Sequence, residues 1–301
     1  MTVIDAFVNL IPVTFAQSLM YSFVVMGIMI PFRLLSFPDL TSEGAFPFGG
    51  CVCAALILAG WNPFLATAVA FGAGVVAGMA TALIHLQFRL NSLLAGILVF
   101  TGLYSVNMRV MGRSNVALFS SDSVFLQVSP SILGSVTLQI LFFGGLVLLM
   151  LLALRWFLAT EAGAALRVVG INPDLAPSLG ISLWTWTLVG LGLANGLSAF
   201  GGALVVQLQG FADIGMGMGL LINGLASLVI GESVLGRRTI TRQLLAPVVG
   251  AAIYYQFVSL GLSLGLQPSD LKLVTAVFVL LTLGLPALRR GGSAGREKLH
   301  A

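Results

Sequence analysis

Residues 131–156 read SILGSVTLQILFFGGLVLLMLLALRW, and no charge occurs between Asp122 and Arg155. A run of about 20 apolar residues crosses the hydrocarbon core as a helix, so this stretch is a membrane span. Immediately after it the character changes. Residues 158–182 read LATEAGAALRVVGINPDLAPSLGIS, which is amphipathic rather than apolar. These two stretches together decide the architecture: a span that delivers the chain to a surface, and a long structured loop lying on that surface.

The pattern extends over the whole chain. Of 301 residues, 58% are hydrophobic and 8% charged, against about 45–50% and roughly 25% in soluble domains. Charges punctuate the sequence. The gaps between them leave one span in 6–32, two in 44–88, and one each near 91–111, 131–156, 183–209, 218–236, 243–264 and 270–288. Gly60-Trp61-Asn62-Pro63 divides the second gap, being a turn signal with an interfacial aromatic. The expectation is an all-α polytopic membrane protein of about nine transmembrane helices, forming one transmembrane domain over 1–301.

Basic residues orient it. With the basic tail, 289–301, in the cytoplasm, alternation puts 11 of the 14 Lys and Arg residues on that side. The positive-inside rule favours this arrangement, which leaves the N-terminus outside. The basic residues mark helix ends, so they imply no nucleic-acid partner.

Whole classes of chemistry drop out. Lys272 and Lys298 do not follow a glycine, so there is no phosphate loop of the Gly-Lys-Ser/Thr kind. His85 and His300 are too far apart for a zinc-protease motif. Cys51 and Cys53 point about 200° apart on a helix and read as buried small residues. An intramembrane enzyme would need a His/Asp/Glu pair on adjacent turns within a span, and none occurs. The chain is expected to be non-catalytic and to need no cofactor of its own.

In the 158–182 loop, Glu161 suits a helix N-terminus and Ala162, Ala164, Ala165 and Leu166 favour helix. Gly170 suits a C′ stop followed by Pro173. A helix over 161–169 is predicted, then a second helical piece over Asp174–Leu179. A mere linker would be shorter and more polar, so the loop reads as a docking surface. Gly163 and Gly170 would allow close approach and a sharp turn, and Arg167 would meet a partner's acidic rim or serve as a positive-inside charge.

Other polar residues have two readings each. Asp39, Thr41 and Glu43, between Pro38 and an apolar run, line a translocation path or support a chain break, or else form a solvated loop. Asp213 caps the next helix or faces an arriving substrate. Glu232 pairs with Arg237 and Arg238 or forms a gate. Asn107 and Arg109 contact an external partner or snorkel. Gly74/Gly78, Gly192/Gly196 and Gly261/Gly265 permit close helix crossings. The scattered phenylalanines imply no aromatic box.

The loop resembles the cytoplasmic coupling segment, about 159–182, of bacterial ABC-importer permeases in the branched-chain amino acid and ribose group. Glu161, Gly163, Ala165, Arg167, Gly170, Asn172, Pro173, Ala176, Gly180 and Ile181 match its pattern, and Pro177 departs from it and shortens the second helical piece. Residues 36–44 and 211–219, each a polar break before helices, agree with that group, and 33–41 and 91–98 are similar to its tryptophan/tyrosine permease subfamily. The resemblance implies a vitamin B12-permease-like bundle with an internal repeat and discontinuous helices. It implies a multi-pass protein of the bacterial inner membrane, surrounded by the lipid bilayer. Its partners would be a cytoplasmic ATP-binding subunit that carries the ATP, an extracytoplasmic substrate-binding protein and a second, identical permease. The solute would be small and polar, an amino acid and an aromatic one if the subfamily label holds. The alternative is a self-sufficient secondary transporter, which would need ion-coupling carboxylates at mid-membrane.

Overall fold

The structure, a computed structural model, describes residues 3–119, 122–128 and 131–267, with 270, 273 and 277. The expected span at 270–288 and the basic tail lie essentially outside the described residues. The remaining eight expected spans each meet a helix.

In chain order the helices are α1 (Val3–Met29), α2 (Thr41–Leu58), α3 (Pro63–Phe88), α4 (Ser92–Met111), the short α5 (Val124–Val128) and α6 (Ser131–Gly134), α7 (Val136–Ala159), α8 (Glu161–Ile171), α9 (Leu183–Gln209), α10 (Leu220–Leu235) and α11 (Ile240–Ser263). A π-helical turn, Ile30–Leu34, extends α1, and a 3₁₀ turn, Ala176–Leu179, follows α8. Among the described residues, seven helices are long and apolar enough to cross a membrane. At 16 residues α10 spans only about 24 Å, less than a ~30 Å hydrocarbon layer, so it is too short to cross that layer by itself.

Local signals set the boundaries. Asn62 accepts a hydrogen bond from the N–H of Phe64 and Pro63 opens α3, the preferred start of a helix. Asn91, Thr160, Ser182 and Thr239 cap α4, α8, α9 and α11 in the same way. One feature departs from the all-α expectation. Strands β1 (Asn115–Ala117) and β2 (Phe211–Asp213) pair antiparallel, joining the outer ends of α4 and α9.

The axis of the bundle is α9, which packs most extensively on α3 and α2, while α1 packs on α11 and α9. Small residues make this possible. A Cβ on Gly74 or Gly78 of α3 would strike the backbone of α9 at Asn195 or Leu191, and Gly192 and Gly196 receive Val75 and Phe71 in return. The first two glycine pairs of the sequence therefore face one another. The third does not behave alike: Gly265 lies beyond the end of α11 with φ +87° and no neighbour. By contrast α7 stands at the edge of the bundle, only 11% of its most apolar window being buried.

Candidate functional site

Between α1 and α2 the chain touches the surface at Ser36 and Pro38 and then turns into the bundle. Residues 35–40 form an irregular link, and Asp39 and Thr41 are fully buried. The depth follows from neighbouring helices. The Thr41 hydroxyl is 2.7 Å from that of Thr81, seven residues before the end of α3 and so about 10 Å below it. Asp39 Oδ2 accepts from Asn195 Nδ2 at 2.8 Å, twelve residues or about 18 Å into α9. Asp39 Oδ1 accepts from the N–H of Thr41 at 2.8 Å, and the Ser42 hydroxyl donates to Asn195 Oδ1 at 3.4 Å. Helix α4 crosses over this loop at Gly96, where a Cβ would press on Leu40 and Asp39. The arrangement is a polar seam, tied by named donors as buried charge requires, and it is not a solvated loop.

The second break meets the first. The first N–H groups of α10 lack intrahelical acceptors. Glu43 supplies one, accepting from the N–H of Leu221 at 3.3 Å. Gly217 lies against the carbonyl of Glu43 and the ring of Pro47, where a Cβ could not fit. Asp213 caps differently from expectation. Its Oδ1 accepts from the N–H of Gly215 at 2.7 Å, stabilising the turn, and Gly219 takes the N-cap position of α10. Its other oxygen accepts from Asn115 Nδ2 across the β1–β2 pair at 3.4 Å.

The opposite, basic end gathers Arg33, Arg89, Arg155, Arg167 and Arg237. Glu232 is nearly buried and takes Arg33 in a bidentate pair, both contacts 2.7 Å, and Arg237 at 2.6 Å. The local partner was legible in the sequence; Arg33, at the end of α1, was not.

Helix α8 lies across this end. It is longer than predicted and stops at Asn172, which has φ −150°. Gly170 is therefore not the stop: it is buried within the helix, and a Cβ there would collide with the carbonyl of Leu34 and with Leu35. Gly163 similarly faces its own chain, at Phe157 and Leu158 of α7. Arg167 Nη1 donates to the carbonyl of Leu158 at 3.0 Å, which holds α8 against α7. Asn172 Oδ1 accepts from the N–H of Leu175 at 3.1 Å, and Pro177 opens the 3₁₀ turn, which Gly180 ends with φ +73°. Glu161, Pro173 and Gly180 are exposed and Ala165 is half-buried. So are the apolar side chains of Ile171, Leu175 and Leu179, Ile171 at 83%. The helix thus has a fixed inner face, and its end and the turn after it present exposed apolar side chains.

Sequence reading missed Asn195 and Thr81, although an Asn within an apolar span is itself a signal. It also missed Gln207 of α9, whose amide donates to Thr67 at 2.8 Å and whose oxygen accepts from the N–H of Val124 at 2.9 Å. Asn107 is buried, so it does not reach an external partner. Cys51 and Cys53 are buried and unbridged, as expected.

The family described as branched-chain amino acid transport system / permease component matches residues 11–284. The chain is 36% identical over 268 residues to the tyrosine transport system permease protein of Clostridioides difficile (strain R20291), covering 89% of this chain and 88% of that one. It is 30% identical over 279 residues to an uncharacterised protein of Rickettsia prowazekii (strain Madrid E), covering 91% and 97%. It is 26% identical over 252 residues to the galactofuranose transporter permease protein of Escherichia coli (strain K12), covering 81% and 70%. No solved structure matches the chain.

Proposed function

Because the chain belongs to the family of branched-chain amino acid transport system permease components, we propose that it is the membrane subunit of an ATP-binding cassette importer. It is a multi-pass protein of the bacterial inner membrane. The observation that carries the coupling role is the 161–180 segment: an amphipathic helix, α8, anchored by Gly170 on Leu34 and by Arg167 on Leu158, with Ile171 at its end and Leu175 and Leu179 of the following turn exposed. A soluble ATPase docks on those exposed side chains. Its motion passes through Gly170 to the π-helical turn at Ile30–Leu34, and from there along residues 35–40 to the Asp39–Asn195 seam. Closely packed interiors pass such displacements on rather than absorbing them.

In this reading the basic end is cytoplasmic, the ninth span falls at 270–288, and two identical permeases enclose the path. The bundle is of the vitamin B12-permease type, and the contact of the two chain breaks at Glu43 and Gly217 supports an internal repeat. Asp39, Thr41, Glu43, Asp213 and Glu232 position the breaks and ends that shape the path. A substrate-binding protein delivers the solute at the outer end. The name of the C. difficile relative makes an aromatic amino acid the first solute to test, and that of the E. coli relative makes a sugar the comparison.

The test is reconstitution of the permease with its ATPase and binding protein in liposomes. ATP-dependent uptake of tyrosine or tryptophan, absent without the ATPase, is the expected result. Uptake by the permease alone would show a secondary transporter instead, and uptake of sugar without amino acid would remove the solute assignment.

A further inference from the structure

At the basic end a recess opens between the last turn of α3, the first turns of α9 and the inner side of the 158–182 segment. Its inner lobe, about 250 Å³, has apolar walls that include Leu35, Phe37 and Val169, and it carries Ser36, His85 and Thr187. An outer, open lobe of about 540 Å³ shares His85, Leu86 and Leu183 with the first and adds Arg89 and Trp184. No carboxylate lines either lobe.

The polar groups have unused capacity. Thr187 is 5% exposed, and among the described residues its hydroxyl has no hydrogen-bond partner, so the recess is where it can find one. His85 Nδ1 lies 2.6 Å from the carbonyl of Leu90 and donates to it, which leaves Nε2 as an acceptor. At the start of α9, Ser182 accepts from the N–H groups of Thr185 and Trp186. The N–H groups of Leu183 and Trp184 come before any intrahelical acceptor. They are at the positive end of a 27-residue helix, which favours an anion. Arg89 lines the same lobe.

The position supplies the rest. Phe88, 69% exposed, and Trp184, 41% exposed, flank the outer lobe. An exposed Trp and an Arg at span ends mark the membrane interface, and basic pockets between helices on the cytoplasmic side suit anionic headgroups.

We propose that this recess binds a glycerophosphate group, with the phosphate at Arg89 and the first turn of α9 and the polyol hydroxyls in the inner lobe with Thr187, Ser36 and His85. The source favoured by the interfacial position is an anionic phospholipid such as phosphatidylglycerol, whose acyl chains leave past Phe88 and Trp184. A soluble polyol phosphate offers the same chemistry without the chains.

Native mass spectrometry of the delipidated full-length permease, titrated with phosphatidylglycerol or phosphatidylcholine, tests this without any transport assay. One phosphatidylglycerol is expected to be retained in preference to phosphatidylcholine. Arg89→Asn should weaken retention about tenfold and Thr187→Val about fivefold, as loss of a charged and a neutral hydrogen bond predicts. Asn tolerates the left-handed backbone that Arg89 adopts at φ +53°, and Thr187→Ser keeps the hydroxyl and should retain the lipid, so misfolding is separable from lost recognition. Arg109→Asn, at the other end, should change nothing. Calorimetric binding of sn-glycerol 3-phosphate without any preference for phosphatidylglycerol would assign the same site to a soluble ester. Binding of neither probe, or unchanged binding in Arg89→Asn and Thr187→Val, would overturn the proposal.

Discussion

The carboxylate of Glu43 accepts a hydrogen bond from the backbone N–H of Leu221, 178 residues later in the chain. This contact joins the start of α2 to the start of α10, so each chain break supports the other. It places a half-buried carboxylate on a helix N-terminus, where that N–H has no intrahelical acceptor. Glu43→Ala removes the acceptor and should cost about 1 kcal/mol, the usual size of a lost N-terminal cap. Glu43→Gln keeps an acceptor and should cost less. Thermal unfolding of the purified permease in detergent measures the difference; equal melting temperatures for wild type and Glu43→Ala would contradict the capping role.

Asn195 is the second point of leverage. Asn195→Leu takes a donor from the fully buried Asp39 and an acceptor from Ser42. Leaving buried polar groups unpaired costs about 1–3 kcal/mol each, and more for a charge. The expected outcome is a marked loss of folded protein, with Asn195→Leu/Asp39→Leu better tolerated than Asn195→Leu alone, since the orphaned carboxylate is gone. Yield after size-exclusion chromatography reads both.

Gly170→Val should uncouple rather than unfold. Its Cβ would meet the Leu34 carbonyl, and overpacking of this kind costs about 1–3 kcal/mol, which α8 can relieve by lifting off the bundle. Transport should fall at least tenfold while membrane insertion is retained. Gly163→Trp should also act within the permease, by prising α8 from α7, and not by blocking a partner surface. A Gly170→Val protein that transports at the wild-type rate would remove α8 from the coupling route.

Orientation is open to direct measurement. Ser114 and Ser178 are both exposed, at opposite ends of the bundle, and the native cysteines are buried, so background labelling should be low. Ser114→Cys should react with an impermeant maleimide on intact spheroplasts, and Ser178→Cys only after lysis. The reverse pattern would invert the topology.

How far the sequence reaches can be traced through these residues. Charge gaps located the helices, because each charge in an apolar chain must find a surface or a partner. Gly60-Trp61-Asn62-Pro63 marked a turn between two spans, and Glu161 a helix start, because both signals are local. Positions set by tertiary approach were less legible. Gly170 carries the same letter whether it ends a helix or lets two backbones touch, and only the position of Leu34 decides between them. Asp39 could be read as a solvated loop because its partners, Thr81 and Asn195, lie far away in the chain. Arg33 escaped pairing with Glu232 for the same reason.

The Asp39–Asn195 hydrogen bond also sets an order of assembly. The two residues are 156 positions apart, and ribosomes add about 5–20 residues per second, so Asp39 exists for roughly 8–30 s before its partner is synthesised. Over that interval a carboxylate seated at its final depth would have the N–H of Thr41 but not the side-chain amide of Asn195 to meet it. The hydrogen bonding around residues 35–40 is therefore completed only when α9 arrives, so that the earliest loop to be made is among the last to be tied down.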